Sequence, residues 1–205
     1  MIRARHTEPW NSFFQYYVQR KMRQHFRGPE MHHPEKKPEK SVLLVGNHFS
    51  WWDGFFALEA AKRFFAKKIH VMMLEEELRP RRFLSYAGAF SIAPGNRAAL
   101  ESLRYAAGLL TDPENMVVVF PQGKMRPHWE RPLHFQSGWT RILEMAKAEA
   151  SLWFQAALPV YGSEPRPLLK IWLQAYPDHQ SLDLQHIEDA YNVFLEACFA
   201  QISKG

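Results

Sequence analysis

The sequence predicts one α/β domain whose sheet is largely parallel or mixed and flanked by helices, preceded by an amphipathic helix. Three observations carry that expectation. Short apolar runs alternate with helical stretches through residues 41–205, the order that builds strand–helix–strand units. The runs at 42–45 and 116–120 are apolar without polar interruption, as strands covered on both faces require. A segment rich in proline and charge, residues 28–40, sets the alternating part off from a single aromatic helix.

In chain order, Trp10, Phe13, Phe14, Tyr17, Val18, Met22 and Phe26 recur at intervals of three and four, the stripe of a helix over 10–27. Arg20, Lys21, Arg23, His25 and Arg27 gather at its end, where positive charge complements the helix dipole. Two readings stand. Rings beside basic residues suit a helix lying on anionic lipid, and the same pattern suits a helix docked on its own domain. Residues 1–28 are therefore read as the amphipathic unit, 29–40 as a linker, and 41–205 as the main domain. His32 and His33, in that linker, lack the oriented neighbours a metal needs. Predicted strands follow at 41–46, 69–74, 116–120, 154–161 and 168–176. Helices are predicted at 53–68, 97–110, 138–150 and about 183–202.

Composition narrows the function. At 205 residues and 46% apolar, the chain is long and apolar enough for one buried core. There is no internal repeat, and the lone Cys198 allows no intrachain disulfide. The excess of Lys and Arg over Asp and Glu is 26 − 21 = 5, which suits anionic lipid headgroups or an acidic partner. Nucleic acid fits poorly, because no recognition motif accompanies the charge. No apolar stretch approaches a membrane span and no signal-peptide pattern opens the sequence. The expected place is the cytoplasm, at the membrane periphery.

Two polar stretches fall at predicted strand ends, where open α/β sheets bind ligands. In "NHFSWWD" (47–53), His48 follows a strand and Asp53 opens a helix. Asp53 reads either as an ordinary helix cap or as the orienting partner of a catalytic His48. In "VVVFPQGKMRP" (117–127), a strand breaks into Pro-Gln-Gly with Lys124 and Arg126 behind it. Gly123 permits close backbone approach, and the two cations suit an anion.

Together, and in this order, the stretches resemble the lysophosphatidate/glycerol-phosphate acyltransferase family, which carries Asn-His, four residues, Asp, and later Phe-Pro-Glu-Gly-Thr. Asn47, His48 and Asp53 match the first motif, and Phe120, Pro121 and Gly123 match three positions of the later one. Between them "GAFSI" (88–92) is similar to the family's second block, and "LPVYG" (158–162) to its fourth. The resemblance implies a fold of the glycerol-phosphate acyltransferase type. It implies direct transfer of a fatty acyl group from acyl-CoA or acyl carrier protein thioester to a hydroxyl of a lysophospholipid or related amphiphile. His48 would be the general base and Asp53 its partner, with no metal and no cofactor beyond the thioester co-substrate. Asn47, Phe120, Pro121, Gln122, Gly123, Lys124, Arg126 and Arg97 become candidates for the acceptor side. Trp51, Trp52 and Pro159 become candidates for an apolar acyl site, the tryptophans being equally readable as core.

Three departures bear on the acceptor. Gln122 stands where the family has glutamate, keeping length but losing charge. Ala93 and Pro94 stand near the family's second-block arginine, with Arg97 the nearest replacement. Glu75 stands where a lysine is often found. An acceptor without phosphate, such as a glycoside or carotenoid glycoside, is therefore an alternative, as is a non-catalytic lipid-binding protein on the same scaffold. Arg79, Arg81 and Arg82 form a basic patch suited to CoA phosphates, an acidic carrier protein or headgroups, or else a solvated loop.

Overall fold

A computed structural model describes residues 1–93, 95–146, 150–177 and 181–203. An N-terminal helix, α1 (Trp10–His25), leads into strand β1 (Arg27–His32). Then come β2 (Ser41–Gly46), α2 (Asp53–Ala60), β3 (Lys68–Leu74), α3 (Glu75–Leu78) and β4 (Ala89–Ile92). The remainder is α4 (Asn96–Leu109), β5 (Asn115–Val119), α5 (Arg141–Ala146), β6 (Ala150–Val160), β7 (Leu168–Ala175) and α6 (Leu184–Ile202). The seven strands form one sheet in the order β1-β7-β6-β2-β5-β3-β4. Every neighbouring pair is parallel except β6 and β7. The α/β expectation holds, with a mostly parallel sheet covered by helices.

The strand pattern explains the layering. Val42 and Leu44, with Met116 and Val118, face α2 and α1, where Phe56, Ala57 and Ala60 meet Phe14, Val18 and Met22. Leu43 and Val45, with Val117 and Val119, face α4, α5 and α6 on the other side. Alternate residues of one strand thus serve two cores, which is why β2 and β5 read as unbroken apolar runs. From β2 the chain moves to one side for β3 and β4 and returns as β5 against β2. It then crosses to the other side for β6 and β7. The carboxyl ends of β2 and β5 flank this reversal, the place where such sheets open a crevice.

Several elements differ from expectation. Residues 29–40 are not linker throughout: Arg27–His32 is an edge strand paired parallel to β7. An edge strand needs its ladder hydrogen bonds on one side only, so Pro29 is tolerated there. His32 stacks on Trp172 and His33 tilts over Phe64, so both imidazoles serve as packing. Among the described residues no group of three or more His, Cys, Asp or Glu is placed to hold a metal. The helix predicted over 53–68 ends at Phe65 after one wider turn, because Ala66 turns left-handed at φ 55° to enter β3. Arg79–Tyr86, which had no predicted structure, is a 3-10 segment. β6 begins at Ala150, earlier than expected, and residues 147–149 of the predicted 138–150 helix lie outside the described residues.

At the sheet's edge the rings of His6 and His70 meet edge-on, 4.9 Å apart. Burial pushes both imidazoles down to about 4, with their mutual repulsion and Lys68 adding to it for His6. Asn115 beside His70, and the carboxylates of Glu8 and Asp112, oppose the shift. A histidine whose folded pKa lies below its unfolded value of 6.5 binds its proton later in the native state. Stability is then complete above pH 6.5 and falls as pH drops towards 4. Denaturant midpoints are expected to decline between pH 7 and pH 5, and His70→Gln is expected to flatten that decline. A His70→Gln profile parallel to the wild type would remove His70 as the cause.

Candidate active site

β2 ends at Gly46, and the next side chain extends its ladder. Asn47 Nδ2 donates to the Ala157 carbonyl at 2.9 Å, and Asn47 Oδ1 accepts from the Ala157 amide at 2.9 Å. The amide side chain copies a backbone rung, fixing where the chain leaves the sheet. Asn47, a candidate for the acceptor side, thus struts β6 with both polar ends and also lines the cleft beside His48. The His48 backbone is then held from the other side. Its N–H donates to Gln122 Oε1 at 2.6 Å, and its carbonyl accepts from the Arg126 amide at 2.9 Å.

Asp53 gathers the turn. Its Oδ2 accepts from His48 Nδ1 at 2.7 Å, from the Phe49 amide at 2.7 Å and from the Ser50 amide at 2.9 Å. Its Oδ1 takes the Ser50 hydroxyl at 3.2 Å. The carboxylate therefore binds amides that precede it, not those of the helix it opens, and the cap reading does not describe it. An oxygen already accepting two amide hydrogens accepts from the imidazole as well, so Nδ1 carries a hydrogen, and in the neutral ring the lone pair is on Nε2, which bonds to no described residue. Burial raises the Asp53 carboxyl above its ordinary range, while the bonds from His48, Ser50 and Phe49 pull it back. The first turn of α2 also favours negative charge at this place.

Aromatic packing sets the ring plane. Phe120 stacks on His48 with centroids 4.8 Å apart and planes 20° apart. The fit depends on Gly46, where a Cβ would stand 3.0 Å from Phe120 Cε1. Pro121 and Gln122 are buried, and Gly123 closes the turn with its amide on the Phe120 carbonyl. Gly123 has φ 69°, and a Cβ there would overlap the Gln136 side chain at 2.4 Å, so both conformation and space require glycine.

A shallow cleft of about 10 Å³ opens beside the ring, lined by Asn47, His48, Gln122, Arg126, His128 and Leu195 among others, Leu133 included. That is room for about one water and not for a whole lipid. Of the cations, Arg126 lines it and pairs with Glu130 at 3.6 Å, while Lys124 and Arg97 are exposed and absent from its lining. Pro94 lies outside the described residues. Trp51, Trp52 and Pro159 do not line it either. Trp52 packs against His25 and Phe26, and Trp51 stands at the surface beside Phe55, under the Arg81 guanidinium.

Sequence reasoning missed His128, Leu133 and Leu195. Burial lowers the His128 pKa, and its ring meets Phe49 at 5.9 Å. The loop that carries it is stapled to α6: Asn192 bonds both backbone groups of Leu133, and Glu188 takes the Phe135 amide. Nothing in "RPHWERPLHF" marks a partner some sixty residues away.

The arrangement offers a bare imidazole nitrogen in a cleft, backed by a buried carboxylate, which is what removing a proton from a hydroxyl requires. No curated protein matches the chain significantly. A family model described as Acyltransferase matches residues 28–161, well over half of the 205. That span holds His48, Asp53, the Phe120–Gly123 turn and the strands that place them, and the chain belongs to the acyltransferase family of the glycerol-phosphate and lysophosphatidate type.

Proposed function

We propose that this acyltransferase transfers a fatty acyl group from acyl-CoA or acyl carrier protein to a hydroxyl of a lysophospholipid or related amphiphile, a step of phospholipid biosynthesis. The His48–Asp53 contact at 2.7 Å, with Nε2 left bare, carries the reading. His48 Nε2 takes the hydroxyl proton as the oxygen attacks the thioester carbonyl. Collapse of the tetrahedral adduct breaks the carbon–sulfur bond, and the imidazolium returns its proton to the departing thiolate. Asp53 stabilises the imidazolium between these events. No acyl-enzyme forms.

An acceptor without phosphate is the second reading. Glu75 is a fixed carboxylate, bonded to Ser91 Oγ at 2.9 Å and to Arg79 at 3.1 Å, where relatives often have a cation. The intact His48–Asp53 pair weighs against a merely lipid-binding role.

The surface supports peripheral attachment on the cytoplasmic side of a membrane. α1 is docked through Phe14, Val18 and Met22, yet Phe13, Tyr16 and Tyr17 of the same helix are exposed, as are Trp51, Phe83 and Tyr86. Cations lie over three of these rings: Lys21 over Tyr17, Arg5 over Tyr86 and Arg81 over Trp51. Rings beside cations match an anionic lipid interface. Among the described residues no helix is long and apolar enough to cross a membrane.

The test presents acyl-CoA or acyl carrier protein with lysophosphatidate in anionic vesicles, and with a glycoside acceptor in parallel. Thiol release matched by acceptor acylation is expected. Transfer from neither donor to any hydroxyl would overturn the proposal. Serine at Phe13, Tyr16 and Tyr17 should reduce vesicle cosedimentation without touching the packed face of α1, and unchanged cosedimentation would exclude that face.

A further inference from the structure

We infer that Gln122 is a specificity-determining hydrogen-bond donor to the acyl acceptor, admitting an acceptor whose oxygen beside the reactive hydroxyl bears no hydrogen as readily as one with a second hydroxyl there. An oxygen without hydrogen at that place belongs to an ether, a carbonyl or a phosphoryl group. The inference rests on the acyl-transfer reading of the site.

Chemistry leaves the orientation of the Gln122 amide no choice. The His48 amide can only donate, so the end of the Gln122 amide that meets it at 2.6 Å is Oε1. The other end is then Nε2, carrying two hydrogens. Nε2 bonds to no described residue, although Gln122 is only 6% exposed and lines the cleft. A donor at such a place is satisfied by water or by a ligand. The hydrogen-bond direction offered to the acceptor is therefore fixed by a backbone contact outside the cleft.

A glutamate at this position would keep the His48 contact, because a carboxylate oxygen accepts the same amide. Its second oxygen would then accept too, and would suit a hydroxyl that donates. Gln122 reverses that direction without moving the side chain. It also removes a negative charge from beside the acceptor, so an anionic phosphoryl oxygen meets no repulsion from this residue.

Two acceptors separate the cases: a 1-monoacylglycerol, with hydroxyls at carbons 2 and 3, and its 3-O-methyl ether, where carbon 3 bears only an ether oxygen. Acylation at carbon 2 is measured for wild type, Gln122→Glu and Gln122→Ala. Wild type should use both with kcat/KM within about threefold, since an ether and a hydroxyl oxygen both accept from Nε2. Gln122→Glu should lose at least about tenfold on the ether relative to the diol, chiefly through KM, because an unpaired carboxylate then faces an unpaired ether oxygen. Gln122→Ala should weaken both acceptors alike, since it frees the His48 amide. A thermal midpoint of Gln122→Glu within about 3 °C of wild type would show that the turn is intact. The same ether-to-diol ratio in Gln122→Glu and wild type would overturn the inference while leaving acyl transfer standing. Absence of transfer by the wild type to both acceptors and to lysophosphatidate would overturn the acyl-transfer reading itself, and this inference with it.

Discussion

Replacing His48 with alanine is expected to lower kcat for acyl transfer by about two to four orders of magnitude, the range a positioned general base contributes. The loss should fall on kcat rather than on KM. The imidazole is one wall of the cleft, and the Gln122, Arg126 and Leu133 lining persists without it. The fold should persist as well. The side chain is 26% exposed, and Asp53 keeps its bonds to the Phe49 and Ser50 amides when the ring is gone. What disappears is the 2.7 Å hydrogen bond to Asp53 and the stack on Phe120 at 4.8 Å, each worth about 1 kcal/mol. The measurement is single-turnover thiol release at saturating donor, which separates chemistry from product release. A variant that keeps wild-type turnover would mean another group takes the proton. His128 is the next imidazole at the cleft, so His48→Ala/His128→Ala is the natural second variant.

The dyad was legible in the sequence because it is local. His48 and Asp53 are joined by one strand-to-helix turn, and the geometry that unites them is a property of that turn. The central strands were legible for a related reason: a strand buried on both faces leaves an apolar run in the sequence whatever its neighbours are. What could not be read depends on partners remote in the chain. The strut that Asn47 forms could not be read because it exists only once β6 lies beside β2 and offers Ala157. Leu195 reaches the cleft because α6 lies under the 123–137 loop, and that packing has no local signature. β1 was hidden by Gly28 and Pro29, which break most strands and are tolerated in this one because it pairs on a single side. Trp51 and Trp52 were placed in the apolar site by their nearness to His48 in sequence. Beyond His48 the turn points them towards α1 and the surface instead.

Asp53 separates the two things the turn does, structural and electrostatic, and two substitutions take them apart. Asp53→Ala should destabilise the protein by about 2–6 kcal/mol, the cost of two orphaned amides, and abolish measurable transfer. It strands the Phe49 and Ser50 amides, which share Oδ2 with His48, in a place where Asp53 is 1% exposed. An orphaned buried donor costs about 1–3 kcal/mol. Asp53→Asn should behave differently. The two amides require an oxygen where Oδ2 stands, which orients the asparagine with Oδ1 towards them and towards His48 Nδ1. The imidazole then keeps its hydrogen on Nδ1, and only the charge that stabilises the imidazolium is lost. Burial raises the Asp53 pKa, so the folded state bears a cost for keeping this carboxylate ionised. Asparagine relieves that cost, and its unfolding free energy should lie within about 1 kcal/mol of wild type at pH 7, while kcat falls by at least about tenfold. If Asp53→Asn retained full turnover, the carboxylate would be a structural clasp for the turn and the imidazolium would need no counter-charge. If it unfolded as readily as Asp53→Ala, the negative charge would be what holds the amides. Stability retained with catalysis lost is the outcome that makes Asp53 a partner of the base.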